Sequence, residues 1–263
     1  MSQAKVLLDS INEYGNRLTT MEVKMHRYVL AEFNTHRAFS RNGASSRAIP
    51  VEKQIKAVLE NPALPPSWGK NQKGMQAEVD LNPDEQQMSL NTWLIARDNA
   101  VSSAQKLLEI GVHKQITNRL LEPWMWYTAI VSFTEFPNFE EQRCSPLASP
   151  EMQAVAYAMQ SALKESTPQL HTEGGWHLPL IQEDEWGINL NVLQKISVAR
   201  CARVSYLTHD GKRDIQEDIK MYDKLHYAVP PHKSPFEHVA KAHTDGSGNF
   251  KGWMQFRHIV FES

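Results

Sequence analysis

WMWYTAIVSF, residues 124–133, is a run of aromatic, aliphatic and β-branched side chains without a single charge. Such a run suits a strand covered on both faces, because a half-exposed strand would alternate with polar residues. Reading outward from it, residues 113–121 predict a helix that ends before Pro123. Residues 84–110 predict a longer helix, with Met88, Leu90, Trp93, Leu94, Ala100, Val101, Ala104, Leu107 and Leu108 as an apolar stripe and Gly111 as its stop. Beyond the run, Ser149-Pro150-Glu151 begins a helix over 149–164. Residues 167–187 read as loop, 192–206 and 214–225 as helices, 236–242 as a strand and 245–248 as a turn. Toward the N-terminus, 4–8 and 20–24 read as strands, 26–33 as helical, 51–59 as a short helix and 65–83 as a polar excursion. The mixture predicts an α/β (α+β) fold, a central mixed sheet of about four to six strands flanked by about five or six helices.

Of the 263 residues 41% are hydrophobic and 22% charged, enough apolar surface for a sizeable core and too much for a disordered chain. Twenty-eight basic against thirty acidic side chains leave a formal charge of −2, so no global field favours nucleic acid or an anionic membrane. Two cysteines, Cys144 and Cys201, make neither a disulfide scaffold nor a zinc cage. With no long apolar run and no leader-like start, the expectation is a soluble cytoplasmic protein.

Chemistry concentrates in four stretches. THRAFSRNGASSR, residues 35–47, offers Arg37, Arg41 and Arg47 with Ser40, Ser45 and Ser46 around Gly43. Guanidiniums match phosphate geometry, and small residues let backbone N–H groups approach an anion. The same composition suits a solvated basic loop; on either reading it is too polar for core. NRLLEP, residues 118–123, sets Asn118 and Arg119 at a helix end. Asn138, Phe139 and Arg143 follow the uncharged strand, and ligands in α/β folds gather at strand ends; each arginine alone also reads as a salt bridge or helix cap. In PHKSPFEH, residues 231–238, Pro235 stands between His232 and His238, so they cannot share a helical face as a zinc-protease pair would, and no metal site is expected. Neither cysteine lies beside a base, and Cys201 reads as an inert buried thiol.

Together these stretches resemble the flavin-dependent (alternative) thymidylate synthases. The family signature is Arg-His-Arg, seven residues, then Ser; Thr35-His36-Arg37 is followed at that spacing by Ser45 and then Arg47. NRLLEP is similar to the family's phosphate-arginine segment, and Asn138-Phe139 with Arg143 to its Asn-Phe…Leu-Arg segment. Ser149-Pro150-Glu151-Met152-Gln153 resembles the helix that follows. ARCARVSY (199–206) and HKSPFEH (232–238) match two further segments. Those two normally precede the signature and here follow it, so the chain reads as one domain over 1–263, circularly permuted, with the usual N-terminal segment at about 192–258. This implies that the strand from Phe236 shares a sheet with the strand at 21–24. Thr35 departs from the signature's arginine, Glu32 from a usual glutamine, Gly43 from a common glutamate and Leu147 from a histidine.

The resemblance implies the flavin-dependent thymidylate synthase fold and methylation of dUMP to dTMP, with methylenetetrahydrofolate, FAD and NADPH. It implies Arg143 as catalytic residue at the uracil edge, and Glu32, Ser45, Ser46, Arg47, Arg119 and Arg143 on the nucleotide. Thr35, His36, Arg37, Asn138, Ser234 and His232 would lie at the cofactor. It further implies a homotetramer with shared sites, no nucleic-acid or membrane partner, and a phage-like protein acting in a bacterial cytoplasm. Two alternatives stand beside it: C5 hydroxymethylation of a pyrimidine nucleotide on the same fold, and a non-catalytic nucleic-acid-binding protein using the 37–47 cluster.

Overall fold

The N-terminal hairpin follows from one asparagine and one glycine. Strand β1 (Gln3–Asn12) turns into β2 (Arg17–His26). The Asn12 Oδ1 accepts from the backbone N–H of Tyr14 (3.1 Å) and Asn16 (2.9 Å), while Gly15 takes φ +82°, a region open to glycine at little cost. The computed structural model describes residues 1–206 and 213–262. After β2 come α1 (Leu30–Phe33), β3 (Ser40–Gly43), α2 (Val51–Glu60), α3 (Pro83–Glu109) and α4 (Lys114–Thr117). Then follow β4 (Trp126–Phe133), α5 (Pro137–Arg143), α6 (Pro150–Lys164), β5 (Gln169–His171) and β6 (Trp176–His177). Helices α7 (Leu190–Ala202) and α8 (Ile215–His226), strands β7 (Ala240–Ala242) and β8 (Trp253–Gln255), and helix α9 (Phe256–Phe261) complete the order.

Five strands form a mixed sheet in the order β3-β4-β2-β1-β5, with only β1–β5 parallel. The uncharged run is β4, paired over its whole length with β2 and on its other side with β3. Met21, Val23 and Met25 of β2 and Ala129, Val131 and Phe133 of β4 point to one face. There Met152, Val155, Ala156 and Met159 of α6 cover them, the period-2 pattern of a sheet meeting the 3.6-residue stripe of a helix.

Against the opposite face five polar side chains are fully buried in one hydrogen-bonded chain. Ser10 Oγ lies 2.8 Å from His177 Nδ1, His177 Nε2 2.8 Å from Thr20 Oγ1, Thr20 Oγ1 2.6 Å from Ser132 Oγ, and Ser132 Oγ 2.8 Å from His238 Nδ1. His238 Nε2 is buried without a partner. An orphaned acceptor costs less than an orphaned N–H, so His238 holds its proton on Nδ1. The chain then runs one way: His238 donates to Ser132, Ser132 to Thr20, Thr20 to His177, and His177 to Ser10. It ties the second sheet, β6-β7-β8, to the first.

Several expectations are corrected. The strand expected from Phe236 begins as a 3-10 turn, Ser234–Glu237, because Pro235 sets its first residues, and β7 starts only at Ala240. β7 also lies in the three-stranded sheet: β1 and β4 occupy both sides of β2 and leave no edge for it. The sheet-sharing that a circular permutation required does not occur, and the permutation is not carried further. Residues 26–33 form a 3-10 turn plus one helical turn, and 113–121 one α turn running into a 3-10 stretch, Asn118–Trp124, around Pro123. The 167–187 stretch contributes β5 and β6. Residues 37–47 are not all surface: Phe39 and Ser40 are buried and Ser40–Gly43 is the edge strand β3. Of the α3 stripe, Val101 and Ala104 are buried while Met88 is 69% exposed. Among the described residues no helix is long and apolar enough to cross a membrane.

Burial pushes the His238 imidazole down to about 3 and the His177 imidazole well below the ordinary 6.5. The unfolded chain therefore binds protons below pH 6.5 that the folded chain refuses. Each histidine lowers stability by up to about 1.4 kcal/mol per pH unit as pH falls from 6.5 toward its folded value. Urea unfolding between pH 7 and 4 should show this acid slope, and His238→Asn should flatten it; an unchanged slope would refute the assignment.

Candidate active site

Glu32 and Arg143 meet across 111 residues. The single turn α1 sends Phe33 into the core and leaves Glu32 at the rim, with Thr35 Oγ1 donating back to the Glu32 carbonyl at 2.7 Å. Arg143 ends α5, where a cation complements the free carbonyls of the last turn. Its Nη1 donates to Glu32 Oε1 at 2.5 Å, its Nε to His36 Nε2 at 2.7 Å and its Nη2 to Thr35 Oγ1 at 3.4 Å; Ser149 Oγ holds Glu32 Oε2 at 3.2 Å. His36 packs edge-on against Phe139, centroids 4.8 Å apart. Burial first, then the Arg143 charge, lowers the His36 pKa. Because Nε2 accepts from Arg143, the neutral ring carries its proton on Nδ1. A cleft of about 390 Å³ adjoins this knot, lined by Thr35, His36, Arg37, Glu135, Asn138 and Gln142 among others.

A second cleft, about 510 Å³, lies where β3, α4, α7, α8 and the Ser234–Glu237 turn converge, and Ser45, Arg47, His232 and Ser234 line it. Buried Asn118 holds the loop that shapes it, donating to the carbonyls of Ser46 (2.7 Å) and Ile49 (2.9 Å). Asn42 joins three elements: its Nδ2 donates to the Cys201 carbonyl at 2.8 Å and its Oδ1 accepts from Ser234 at 3.4 Å. The walls are apolar, the polar lining is cationic or neutral, and no carboxylate faces in among the described residues.

The expected site residues therefore fall into two groups. Glu32, Thr35, His36, Arg37, Asn138 and Arg143 gather at the first cleft and its rim, Ser45, Arg47, His232 and Ser234 around the second. Arg119 is exposed and lines neither, and Ser46 contributes its carbonyl to Asn118 rather than a hydroxyl to a cleft. Ser40, offered as an anion ligand, is buried and bonded to Asn249 (3.2 Å) and Gln255 (3.0 Å). His232 lines the second cleft while His238 is sealed against Ser132, so the two imidazoles serve different surroundings. Sequence reasoning passed over Asn42 and Asn118 as ligand-site organisers, although both lie inside stretches it had marked. It had no signal for Gln115 or Lys224. Gly43 is explained by contact: a Cβ there would lie 1.6 Å from the Tyr127 hydroxyl.

A mixed sheet bearing one cleft beside a carboxylate–guanidinium pair and another whose described polar lining is cationic or neutral defines a mixed α/β protein with two candidate sites. The chain belongs to the thymidylate synthase complementing protein family, Thy1, the flavin-dependent thymidylate synthases that its motifs resemble; the family model matches residues 17–169, more than half of it. That range runs from β2 through α6 to the first residue of β5 and leaves ARCARVSY and HKSPFEH outside. No curated protein sequence matches significantly. Among solved structures, the Streptomyces cacaoi UMP/dUMP methylase PolB bound with 5-Br UMP is similar at 14% identity and TM-score 0.51, over 63% of this chain and 89% of that one. The same enzyme bound with 5-Br dUMP gives 14% identity and TM-score 0.50, over 63% and 90%. At that identity the likeness is one of fold.

Glu32 raises the His36 pKa and Arg143 lowers it. A histidine NMR titration should therefore show His36 moving up toward 6.5 in Arg143→Ala and further down in Glu32→Gln. Shifts of the same sign in both variants would contradict the arrangement.

Proposed function

We propose that this chain is a thymidylate synthase-like enzyme that methylates C5 of dUMP reductively, with methylenetetrahydrofolate as carbon donor, FAD at the site and NADPH as reductant. The observation that carries the reading is the Arg143 knot in a chain whose family is Thy1: a guanidinium held by Glu32, His36 and Thr35 at the lip of a cleft. Neither cysteine offers a nucleophile. Cys201 is fully buried and burial pushes its thiol far up, and Cys144 is raised as well. Activation of C5 must then come from polarising the ring.

Arg143 is assigned that role. At about 4 Å and an effective dielectric of about 20, one full charge stabilises an ionised pyrimidine nitrogen by about 4 kcal/mol. The Glu32 carboxylate, 2.5 Å from Arg143, cancels most of that field, so Arg143 acts here as an oriented hydrogen-bond donor and Glu32 as an acceptor beside it. Ser45 and Arg47 are assigned to the phosphate. Arg119 and Ser46 would join them only from another subunit of a homotetramer, which is also the reading that covers exposed Met88 and Ile95 of α3. The donor set around the first cleft fits a flavin nucleotide: Arg37 has no acidic partner among the described residues, and Asn138 keeps its amide N–H groups while its Oδ1 accepts from Gln142 at 3.1 Å. Thr35, His36, Arg37 and Asn138 would hold FAD, with Ser234 and His232 from the second cleft. When bound, FAD supplies the hydride. The protein's part is to position it, to hold the pyrimidine edge and to keep His36 neutral.

C5 hydroxymethylation of a pyrimidine nucleotide is kept as a second reading. It is favoured by the charge on Glu32 and by the Tyr127 hydroxyl standing where a side chain at position 43 would be.

Purified protein should be yellow, carry about one flavin per chain, and change its visible spectrum on adding dUMP. With methylenetetrahydrofolate and NADPH it should yield dTMP by mass analysis, whereas 5-hydroxymethyl-dUMP would select the second reading. Arg143→Ala should lose product formation by at least about a hundredfold while keeping FAD. Full synthesis by that variant ends the role assigned to Arg143, and a colourless protein inert toward dUMP ends the proposal.

A further inference from the structure

The second cleft holds a cation that belongs to no motif. Met221, Lys224 and Leu225 stand at i, i+3 and i+4 on one face of α8, Ala228 follows just past the helix end, and all four line the cavity. On the same helix Lys220 turns outward and pairs with Glu217 at 2.8 Å. Lys224 has no acidic partner among the described residues. Neither does Arg47 on the opposing loop.

Two cations lining one cavity with no carboxylate among its described residues repel each other, and that cost is removed when an anion sits between them. The rest of the lining is apolar, Ala202, Met221, Leu225 and Pro235 among it, so the anion should be one end of an organic body. Gln115 and Ser45 add neutral hydrogen-bonding groups beside it. The group that fits is a phosphate ester: several acceptor oxygens, up to two charges, and a nucleoside or flavin attached.

We propose that Lys224 is the second arm of a phosphate clamp with Arg47, and that α8 thereby forms part of the nucleotide site. The inference rests on the reading of this chain as a nucleotide-binding enzyme and adds a residue that none of its motifs contains. A compact ammonium on a flexible stem grips phosphate as a point charge, while Arg47 supplies the fork.

Calorimetric titration of the full chain with dUMP, FAD, deoxyuridine and inorganic pyrophosphate tests it. Lys224→Ala should weaken the phosphate-bearing ligand by about tenfold and reduce the salt dependence of its binding, Lys224→Arg should stay within about threefold, and deoxyuridine should be unaffected. Lys220→Ala serves as the outward-facing control and should bind like the parent. The ligand whose affinity falls, dUMP or FAD, identifies the source of the phosphate. Lys224 is an exposed helical residue and alanine favours helix, so an unchanged melting temperature accompanies the expected result. If Lys224→Ala binds dUMP, FAD and pyrophosphate as the parent does while Arg47→Ala does not, the clamp is wrong and the enzyme reading survives. If the parent binds neither dUMP nor FAD, the enzyme reading fails. Pyrophosphate then decides the clamp separately: binding lost in Lys224→Ala upholds it, and no binding overturns it.

Discussion

The hydrogen-bonded chain from Ser10 through His177, Thr20 and Ser132 to His238 is the constraint on which the molecule's layout depends. Thr20 and Ser132 sit on central strands, fully buried, on the face that α6 does not cover. Two unpaired hydroxyls in that position would each cost about 1–3 kcal/mol. The two histidines remove the cost, and each belongs to the part of the chain that builds the second sheet or the turn leading into it. His238 immediately follows the Ser234–Glu237 turn. Fixing its imidazole on Ser132 therefore fixes where Ser234 meets Asn42, and with it one wall of the cationic cleft. A polar requirement inside the sheet is satisfied by the residues that also organise the surface.

The two clefts are built on different physical terms. Within the Arg143 knot each charge is answered, Glu32 taking the guanidinium, Ser149 the other carboxylate oxygen, with His36 neutral, while Arg37 stands on the adjoining cleft wall. Such a knot contributes little to stability at its partial exposure, but it holds a planar donor fork in one orientation. In the cleft between β3 and α8, Arg47 and Lys224 have no acidic partner among the described residues. On the proposed reading the first cleft sets orientation and the second attraction, so a nucleotide engaging both would be aimed at one end and drawn in at the other.

How far the sequence could be read depended on what each segment had to bury. β4 was legible because a central strand sealed on both sides excludes charge, and α6 because its apolar stripe matches a sheet face. Boundaries around Pro123 and Pro235 were not, since proline is compatible with helical and 3-10 turns that only tertiary packing separates. The α3 stripe was visible, but periodicity reports that a face is apolar and not what lies against it, and Met88 and Ile95 stay exposed. Glu32, His36 and Arg143 were each marked along the chain. Their mutual bonds were not, because those exist only once β2 and β4 pair and bring residue 143 to residue 32. Lys224 gave no signal at all: one lysine among the charges of an amphipathic helix becomes distinctive only when its neighbours at 221, 225 and 228 are seen to face a cavity.

Gly43 and Tyr127 occupy, in effect, a single volume. A side chain at 43 displaces the Tyr127 phenol, so the two positions are coupled: an acidic or amide group enters at 43 only as the ring at 127 swings away or is replaced by a smaller one. Changing the strand edge nearest the cleft therefore requires the Tyr127 ring to move or shrink with it, and any redesign of this pocket must treat the two positions together.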